Sequence, residues 1–548
     1  MALQGLGVRQ GTFVATLAWN TSRHMEAWYG IMGCGAICHT LNLRLAVKDL
    51  VYIANDARDE VVLADATMVP LLERVLPGVP SVKHVVLLTD RLNMPPTGGL
   101  PPGVGVHCYE ELLGAAAAAG GGASLANFRW TQVDENDACG MCYTSGTTGN
   151  PKGVLYSHRS NYLHAMLLVQ ADSLPLAASS CCLAVVPMFH ANVWGLVFAA
   201  PLVGARLVLP GPYLDGASIH SLMEGYGVTM SAGVPTVWLA LLNHCEEAGA
   251  TFSTLKMVAI GGAAAPLSMI EAFEVKHGVE VRHLWGMTEL SPLGTLGDPK
   301  PASLGGRTRP PGGFGAAAPA SGSASGSGSG SSSSSDAAFR RAYLGAKLKQ
   351  GRPHALCDMR IVDDGGRELP HDGKSVGHLQ VRGPATVARY FKAPQPATDG
   401  AGWFATGDVA SIDAWGNMAI TDRSKDVIKS GGEWISSIEI ENLAMGYPGV
   451  AEAAVVGVPD ERWGERPLLV LVARPGVEAD AELREGVLAF LAERLAKFAV
   501  PDDVVFVPQI PHNATGKVSK LTLRDMFKHH KSGGGGGGGS GSGPRSKL

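Results

Sequence analysis

An eleven-residue loop rich in glycine, serine and threonine places the strongest constraint on what this chain can fold into. The loop reads Tyr143-Thr-Ser-Gly-Thr-Thr-Gly-Asn-Pro-Lys-Gly153 and follows a strand-like segment. Glycines let backbone N–H groups approach an anion closely, the hydroxyls add donors, and Lys152 adds a positive charge. Because that lysine follows proline and precedes glycine, the spacing differs from a P-loop. The loop predicts a phosphate site of another kind.

Charge and hydropathy exclude two broad classes of protein. The 45 lysines and arginines are balanced by 49 aspartates and glutamates, so no excess of positive charge is available to hold a nucleic acid. The best candidate for a membrane span, 193–205, is short, contains Gly195, Pro201 and Gly204, and ends at Arg206. We expect no nucleic-acid partner and no transmembrane segment.

The nine cysteines are too sparse for a disulfide scaffold, and the N-terminus lacks the pattern of a secretory signal, so we expect reduced thiols. Cys139-Gly-Met-Cys142 has the spacing of a redox motif, but it lies in the strand that leads into the phosphate loop. Packing is therefore its favoured role. No cysteine and histidine group has zinc spacing, so we expect no structural metal.

Short apolar runs rich in valine and isoleucine alternate with helical patterns along most of the chain, and this alternation predicts an α/β fold. The clearest strand patterns are 61–63, 84–88 and 257–260, and the clearest helical ones are 218–224 and 235–245. Near the C-terminus, apolar residues at four-residue steps within 479–497 predict a surface helix. Strand patterns at 468–472 and 504–507 flank that helix, which predicts a small α+β unit.

Two segments are too poor in bulky residues to build a core. Residues 305–335 are mostly glycine, serine, alanine and proline, and 532–543 are nearly all glycine and serine. We expect both segments to be flexible.

The loop at 143–153 resembles the signature of the adenylate-forming (AMP-binding) superfamily, which includes acyl-CoA synthetases, luciferases and peptide-synthetase adenylation domains. Further blocks resemble the family across almost the whole chain. They are Val186-Pro-Met-Phe-His190, Gly261-Gly-Ala-Ala-Ala-Pro266, Trp285-Gly-Met-Thr-Glu289, Thr406-Gly-Asp408, Asp422-Arg-Ser-Lys-Asp426, Ser430-Gly-Gly-Glu-Trp434 and Pro511-His-Asn-Ala-Thr-Gly-Lys517. The phrases at 233–238 and 429–437 are most similar to the fatty-acyl-CoA synthetase branch.

The resemblance implies a division into domains. A large N-terminal adenylate-forming domain of mixed sheets with helices would cover 1–424, with the low-complexity insert at 305–335. A small C-terminal α+β domain would cover 425–531 and rotate about a hinge at Lys425. Residues 532–548 would form a flexible tail. Relatives normally carry a further N-terminal segment, so we expect one to be missing ahead of Met1, and a homodimer is one expected state.

The resemblance also implies ATP, Mg²⁺ and coenzyme A as cofactors and co-substrate. Lys517 would bridge the substrate carboxylate and the α-phosphate, and Glu289 and Thr144 would contact Mg²⁺, which prefers hard oxygen ligands. Thr288 completes the expected catalytic set, and Asp408 would accept hydrogen bonds from the ribose hydroxyls. The other expected nucleotide-binding residues are Ser145, Gly146, Thr147, Thr148, Gly149, Lys152, Gly262, Ala263, Trp285, Gly286, Arg423, Lys425, Lys429 and Trp434.

Three residues are expected to contact the acyl substrate. Trp194 stands four residues past His190, where the fatty-acyl branch has a gate to its acyl tunnel. Leu284 stands where the family usually has glycine lining the pocket, so its side chain would fill space otherwise open to substrate. We therefore expect medium chains to be preferred over the longest ones.

Lys517 would have to enter the active site for adenylation and would then have to leave it so that a thiol can reach the acyl-adenylate. The two half-reactions would therefore need two conformations. Gly431 and Gly432 would line the pantetheine channel in the second one.

The implied function is ATP-dependent activation of a medium- or long-chain fatty acid to acyl-adenylate and then acyl-CoA, with release of AMP and pyrophosphate. An aryl or cinnamyl carboxylate-CoA ligase and a luciferase-like adenylating oxygenase share every motif. An inactive adenylate-binding sensor or scaffold is an alternative of another class, against which the retained Lys517 and Glu289 argue.

The chain ends in Ser546-Lys547-Leu548, the peroxisomal targeting tripeptide, on a glycine-rich tail. We expect an import receptor to bind it and the protein to reside in the peroxisomal matrix.

Overall fold

A computed structural model describes residues 1–119, 129–144, 150–297, 300–308, 334–430, 433–513 and 517–530. Over these ranges the chain forms two compact units. The first comprises 1–406 and 410–420, and the second comprises 407–409, 421–513 and 517–530. The domain boundary predicted at residue 425 stays a prediction.

The N-terminal part of the first unit is built on a seven-stranded sheet in the order β5-β4-β3-β1-β2-β6-β7. All neighbours are parallel except β6 and β7, which are antiparallel. The strands are β1 Phe13–Leu17, β2 Ile37–Thr40, β3 Val61–Ala64, β4 His84–Leu87, β5 Gly105–Cys108, β6 Ala138–Tyr143 and β7 Gly153–Ser157. The helices are α1 Ala2–Gly5, α2 Ser22–Gly33, α3 Val47–Ala57, α4 Val69–Val75, α5 Tyr109–Ala119 and α6 His158–Leu168.

A second sheet of five parallel strands follows, in the order β12-β11-β10-β8-β9. Its strands are β8 Cys181–Leu183, β9 Arg206–Val208, β10 Met230–Gly233, β11 Met257–Ile260 and β12 Glu280–His283. Its helices are α7 Leu196–Val203, α8 Gly216–Tyr226, α9 Pro235–Ala248, α10 Leu267–Glu271 with a π-helical turn Ala272–Lys276, and α11 Ser334–Lys347. One hydrophobic core is shared by both sheets and includes apolar residues of α2, α6 and α7.

The rest of the first unit is a two-stranded antiparallel sheet formed by β13 and β14 and a four-stranded sheet in the order β15-β16-β17-β18, whose last two strands run into residues of the second unit. The strands are β13 Thr295–Leu296, β14 Arg352–Pro353, β15 Asp358–Val362, β16 Val376–Arg382, β17 Phe404–Ile412 and β18 Met418–Arg423. Short 3₁₀ turns lie at Ala66–Met68, Leu76–Gly78, Arg91–Asn93, Thr288–Leu290, Pro301–Leu304 and, in the second unit, Lys497–Ala499.

The second unit has a five-stranded sheet with helices on both faces. Strands β20, β19, β22 and β21 are antiparallel neighbours in that order, and β23 pairs with β22 in parallel. Consecutive residues of β21 face opposite cores: Val455 packs in the core with α12 and α13, and Val456 packs in the core with α14. The elements are β19 Ile428–Ser430, β20 Glu433–Ile435, β21 Val450–Asp460, β22 Gly464–Ala473, β23 Asp503–Phe506, α12 Ser437–Ala444, α13 Ala481–Ala492 and α14 Lys520–Phe527.

The predicted α/β class and the small C-terminal α+β unit are confirmed. All nine cysteines are free and buried, and burial raises the pKa of Cys139 to about 12, so its thiol is not reactive. Helix α11 begins at Ser334, inside the segment predicted to be flexible, while residues 309–333 lie outside the described ranges. Within those ranges, no helix is both long and apolar enough to cross a membrane.

Two buried histidines of the first unit, His283 and His24, are held in the neutral form by burial and by their hydrogen bonds. The backbone N–H of Ala265 donates to His283 Nε2 at 3.2 Å, so Nδ1 carries the proton and donates to the carbonyl of Lys347 at 3.3 Å. His24 follows the same pattern, accepting from the Trp28 indole at Nε2 and donating to a carbonyl at Nδ1. Burial lowers the pKa of both histidines to about 4. Each ring can accept one hydrogen bond and donate the other only while it is neutral.

We predict that His283→Gln weakens the acid sensitivity of the fold. The amide oxygen can accept from Ala265 and the amide N–H can donate to Lys347, but glutamine does not titrate. The stability conferred by neutral His283 is complete above pH 6.5 and is lost as pH falls towards 4, because only the unfolded chain binds a proton in that window. This loss amounts to about 3 kcal/mol.

The measurement is the urea midpoint of parent and variant between pH 7.5 and pH 4. The two midpoints should be similar at pH 7.5, and the midpoint of the variant should decline less than that of the parent as the pH falls to 4. His371→Gln, at an exposed histidine, is the matched control. Parallel curves for His283→Gln and parent would contradict the neutral-histidine interpretation.

Candidate functional site

The predicted phosphate loop connects two antiparallel strands. Tyr143 at the end of β6 is in register with Gly153 at the start of β7, and the backbone N–H of Thr144 donates to the carbonyl of Lys152 at 2.9 Å. The loop therefore closes at its base, and Thr144 and Lys152 lie side by side. The predicted residues Ser145, Gly146, Thr147, Thr148 and Gly149 lie outside the described ranges.

The base of this loop is anchored by Tyr143. Its hydroxyl donates to Asp56 Oδ2 at 2.6 Å, and its ring lies 5.3 Å from the buried ring of His39. Burial and the hydrogen bond to Asp56 raise the Tyr143 pKa, which keeps the phenol protonated. His39 is itself bound through Nδ1 to the buried carboxylate of Asp59 at 2.8 Å. The strand end from which the loop starts is thus held by a half-buried hydrogen bond to Asp56 and by a ring contact with His39.

Glu289 lies in the short turn after β12 and is 7% exposed. Its Oε1 accepts a hydrogen bond from the Tyr390 hydroxyl at 2.7 Å. The Lys152 ammonium lies 5.0 Å from the centroid of the same tyrosine ring, a cation–π distance. The structure therefore brings Lys152 and Glu289, predicted from separate sequence blocks, onto one side chain.

Tyr390 belongs to a segment that the sequence analysis did not identify. The Val387 N–H donates to the Glu289 carbonyl at 2.7 Å, and the Phe391 N–H donates to the Gly153 carbonyl at 2.8 Å. Burial and the Glu289 charge raise the Tyr390 pKa, so its hydroxyl remains a donor. A tyrosine between an arginine and a phenylalanine carries no pattern that distinguishes it from a packed aromatic.

The donor set fits Mg²⁺ only in combination with phosphate. Within the described residues, no group of three or more histidine, cysteine, aspartate or glutamate side chains could hold a metal. A carboxylate from Glu289 and a hydroxyl from Thr144 are hard oxygen donors, and Mg²⁺ is commonly held by one or two carboxylates together with substrate phosphates. These two residues would therefore hold the ion only when a nucleotide supplies the remaining oxygens.

Two of the predicted adenine-side residues, Gly262 and Gly286, stand where the backbone geometry favours glycine. Gly262 has a φ of +81°, which favours glycine, and a Cβ on Gly286 would lie 2.2 Å from the Pro292 carbonyl oxygen. Ala263 lies between Gly262 and Ala265, which His283 holds. Trp285 is 9% exposed and belongs to the core of the four-stranded sheet.

Two of the three predicted acyl-site residues, Trp194 and Leu284, form a wall beside Gly261. A Cβ on that glycine would lie 3.1 Å from the Trp194 ring and 3.2 Å from the Leu284 carbonyl oxygen. Leu284 is buried in the core shared by the two sheets, and half-buried Trp194 packs against that same core. His190 is half-buried and directly precedes an unusual turn.

That turn, Ala191–Gly195, runs in the left-handed region. The φ angles of Ala191, Asn192, Val193 and Trp194 lie between +44° and +57°. Such a conformation costs about 1–3 kcal/mol per non-glycine residue and persists only when the surroundings hold it. Asn192, which is buried, donates to the amide oxygen of Asn161 at 3.3 Å. The strained backbone sets the direction of the Trp194 side chain.

In the second unit, the structure brings Asp408 and Arg423 together. Strands β17 and β18 are neighbours, and Arg423 Nε lies 2.8 Å from Asp408 Oδ1. Asp408 is 4% exposed, so the pair places a buried carboxylate beside a half-exposed guanidinium. This pair was predicted only as two separate nucleotide contacts.

Two other predicted residues of the second unit also meet. Lys429 and Trp434 are partners in the register of β19 and β20, with the ammonium 5.4 Å from the indole centroid. Burial lowers the pKa of Lys425, the predicted hinge residue.

The residues predicted to line the pantetheine channel, Gly431 and Gly432, lie outside the described ranges.

Lys517 also lies in the second unit. Its backbone N–H donates to Asn513 Oδ1 at 3.1 Å, and its carbonyl accepts from the Asn513 N–H at 2.8 Å. The backbone at the predicted catalytic lysine is thus held on both sides by one asparagine.

Two family models match the chain. The model described as AMP-binding enzyme matches residues 1–321, and the AMP-binding enzyme C-terminal domain matches residues 439–517.

Curated relatives match nearly the whole chain. A 3-methylmercaptopropionyl-CoA ligase of Ruegeria lacuscaerulensis is 43% identical over 97% of this chain and 90% of its own. A medium-chain-fatty-acid–CoA ligase of Ectopseudomonas oleovorans is 42% identical, covering 96% and 88%. A long-chain-fatty-acid–CoA ligase of Thermus thermophilus is 41% identical, covering 97% and 88%.

A solved structure of an anthranilate CoA ligase in complex with anthranoyl-AMP superimposes with a TM-score of 0.78 at 24% identity. The superposition covers 96% of this chain and 90% of that one. This likeness shows the fold.

We predict that Tyr390→Phe raises the Mg²⁺ concentration needed for ATP binding about tenfold, because removal of a group that orients a metal-binding carboxylate typically has that effect. The ring beneath Lys152 remains, so ATP affinity without Mg²⁺ should not change. ATP binding is measured by calorimetry across a Mg²⁺ series. Tyr162→Phe, at an exposed tyrosine, is the control. An equal loss of affinity with and without Mg²⁺ would show that the hydroxyl does not act through the metal.

Proposed function

This chain belongs to the AMP-binding enzyme family, and we propose from that membership and from its site that it is an ATP-dependent acyl-CoA ligase acting on a medium- or long-chain fatty acid. The observation that carries the proposal is the placement of Lys152 and Glu289 on Tyr390. A cation and a metal-binding carboxylate are both needed to bring an anionic acid and a polyphosphate together.

The proposed reaction has two steps. First, a carboxylate oxygen of the acid attacks the α-phosphorus of ATP, the bond between the α-phosphorus and the bridging oxygen breaks, and pyrophosphate leaves. Then the thiol of coenzyme A attacks the acyl carbon, loses its proton, and AMP leaves. Bound Mg²⁺ would neutralise phosphate charge in the first step.

The residues of this chain have separate tasks in that scheme. Lys152 would hold the outer phosphates, and Glu289 with Thr144 would hold the metal. Asp408 would accept hydrogen bonds from the ribose hydroxyls, and its ion pair with Arg423 orients the carboxylate. Lys517 would stabilise the charge that develops between carboxylate and α-phosphate.

The acid is proposed to be of medium length because Leu284, whose carbonyl oxygen lies in the wall beside Gly261, carries a bulky side chain where the family resemblance implies glycine. The names of the relatives extend from long-chain and medium-chain acids to the short thioether acid 3-methylmercaptopropionate. A bulky leucine at this wall favours the shorter part of that range.

We also propose that the protein acts in the peroxisomal matrix, from the terminal tripeptide Ser546-Lys547-Leu548. A lipid-activating activity is consistent with that compartment.

We predict that Lys517→Ala lowers adenylation by a factor of about 10²–10³, because the lysine stabilises charge only in that transition state. Thiolysis of a supplied acyl-adenylate should stay near the parent rate. Pyrophosphate exchange and acyl-CoA formation from acyl-adenylate are measured separately. Lys528→Ala, at an exposed lysine, is the control. Equal losses in adenylation and in thiolysis would contradict the scheme in which the two half-reactions use two conformations.

A second prediction concerns chain length. Leu284→Gly should move the optimum of kcat/KM towards longer acids, because each buried methylene of substrate is worth about 0.8 kcal/mol and room for two or three changes specificity tenfold or more. Trp194→Ala should raise activity on bulky acids and relax selectivity. The series should include saturated acids, 3-methylmercaptopropionate and a benzoate.

Leu255→Gly, at a leucine buried in a different core, controls for general loosening of the first unit. An optimum that stays in place in Leu284→Gly would mean that the leucine does not face the acid. A preference for benzoate in the parent would favour the aryl-acid alternative.

The compartment can be tested by removing Ser546-Lys547-Leu548. A fluorescent fusion lacking the tripeptide should remain in the cytosol of a eukaryotic cell, with unchanged kinetics, because the signal is read by a receptor and adds no anchor. Continued import of the truncated chain would contradict the proposal.

A further inference from the structure

The helix α14 begins three residues after Lys517, and its two faces make different contacts. Leu523 is fully buried in the core formed with Val456 and Val470 of the sheet. Lys520 and Arg524, one helical turn apart and on a common face, both contact the segment 422–426. That segment contains Lys425, the proposed hinge.

Lys520 binds the start of this segment in a buried network. Its ammonium lies 3.1 Å from Glu441 Oε1 and 3.8 Å from Asp422 Oδ1, and it donates to the hydroxyl of Ser437. The backbone N–H of Ser437 in turn donates to Asp422 Oδ2 at 3.1 Å. Burial opposes the charge on Lys520, but the two carboxylates outweigh burial and its pKa is raised.

Arg524 binds the end of the same segment. One guanidinium nitrogen pairs with the carboxylate of Asp426, and another donates to the backbone carbonyl of Lys425 at 3.2 Å. The Asp426 side chain is only 10% exposed. The arginine therefore binds the backbone of the hinge residue itself as well as its neighbour.

We propose that Lys520 and Arg524 are positioning residues that couple the hinge segment 422–426 to Lys517. Because α14 is rigid and begins three residues after Lys517, the contacts that bind Asp422 and Asp426 to this helix on either side of Lys425 fix where Lys517 stands relative to the hinge segment. This inference rests on the proposed function, since it assigns to both residues the task of placing Lys517 for adenylation.

The ion pairs of Lys520 and Arg524 suit this task because their carboxylate partners Asp422 and Asp426 are largely buried away from solvent. Exposed ion pairs contribute about 1 kcal/mol or less and do not hold one geometry, whereas removing one member of a buried pair leaves the other charge unpaired at a cost of several kcal/mol. The contacts at 422 and 426 lie on both sides of Lys425, so the segment cannot slide along the helix while both remain.

The test is Arg524→Gln, with adenylation and thiolysis measured separately. We expect the kcat of pyrophosphate exchange to fall about tenfold, the KM for ATP to change less than twofold, and thiolysis of supplied acyl-adenylate to change less than twofold. Arg524→Lys, which retains the charge, should recover part of the loss. Arg494→Gln, at an exposed arginine of the second unit paired with Glu493, should match the parent in all assays.

The decisive measurement combines Arg524→Gln with Lys517→Ala. If Arg524 acts through Lys517, the double variant should exchange pyrophosphate no more slowly than Lys517→Ala alone. A further tenfold loss in the double variant, or equal losses in both half-reactions of Arg524→Gln with a lowered unfolding temperature, would overturn the coupling.

Failure of the proposed function and failure of the coupling give different results for Lys517→Ala and Arg524→Gln. If Lys517→Ala retains full adenylation, the role of Lys517 is wrong and the coupling is overturned with it. If Lys517→Ala loses adenylation but Arg524→Gln does not, only the coupling is overturned. Lys520→Met, which fills similar space without a charge, repeats the test at the other end of the segment.

Discussion

The hydroxyl of Tyr390 holds the carboxylate of Glu289 while the ring of the same residue faces the ammonium of Lys152. The two charged groups come from distant parts of the first unit, one from the loop between β6 and β7 and the other from the turn after β12. Backbone hydrogen bonds from Val387 and Phe391 tie both parts to the segment that carries the tyrosine. The first unit can present a cation and a carboxylate to one polyphosphate because this segment joins them.

Two sets of buried polar residues, one in each unit, are stabilised in different ways. In the first unit, His24 and His283 are neutral, and each ring nitrogen has one backbone or indole partner. Neutral groups avoid the cost of burying charge and hold the loops around the site in one geometry. The second unit instead buries a charged network of Lys520, Glu441 and Asp422 beside the proposed hinge. Charged pairs are costly to break singly, which suits contacts proposed to hold the hinge segment on one helix.

Each strand or helix pattern that was identified in the sequence corresponds to an element of the structure. The helix expected within 479–497 lies at Ala481–Ala492, and the strand expected at 257–260 has those bounds. Each of these depends on residues close in sequence: apolar spacing of 3.6 for a surface helix, or a short β-branched run for a buried strand. The start of α11 at Ser334 was not anticipated, because serines at a helix start resemble the serine-rich segment before them.

The residue types of the site were already determined by the sequence: a lysine after a glycine-rich loop, a glutamate after a tryptophan–glycine pair, an aspartate beside a basic run. These specify the chemistry because charge and hydrogen-bonding capacity belong to the residue itself. Only the tertiary structure decided that Tyr390 joins Lys152 to Glu289, that Arg423 pairs with Asp408, and that Lys520 and Arg524 bind the segment around Lys425. Such contacts depend on which strands are neighbours and how helices pack, and those are set by the burial of many side chains together rather than by any local pattern.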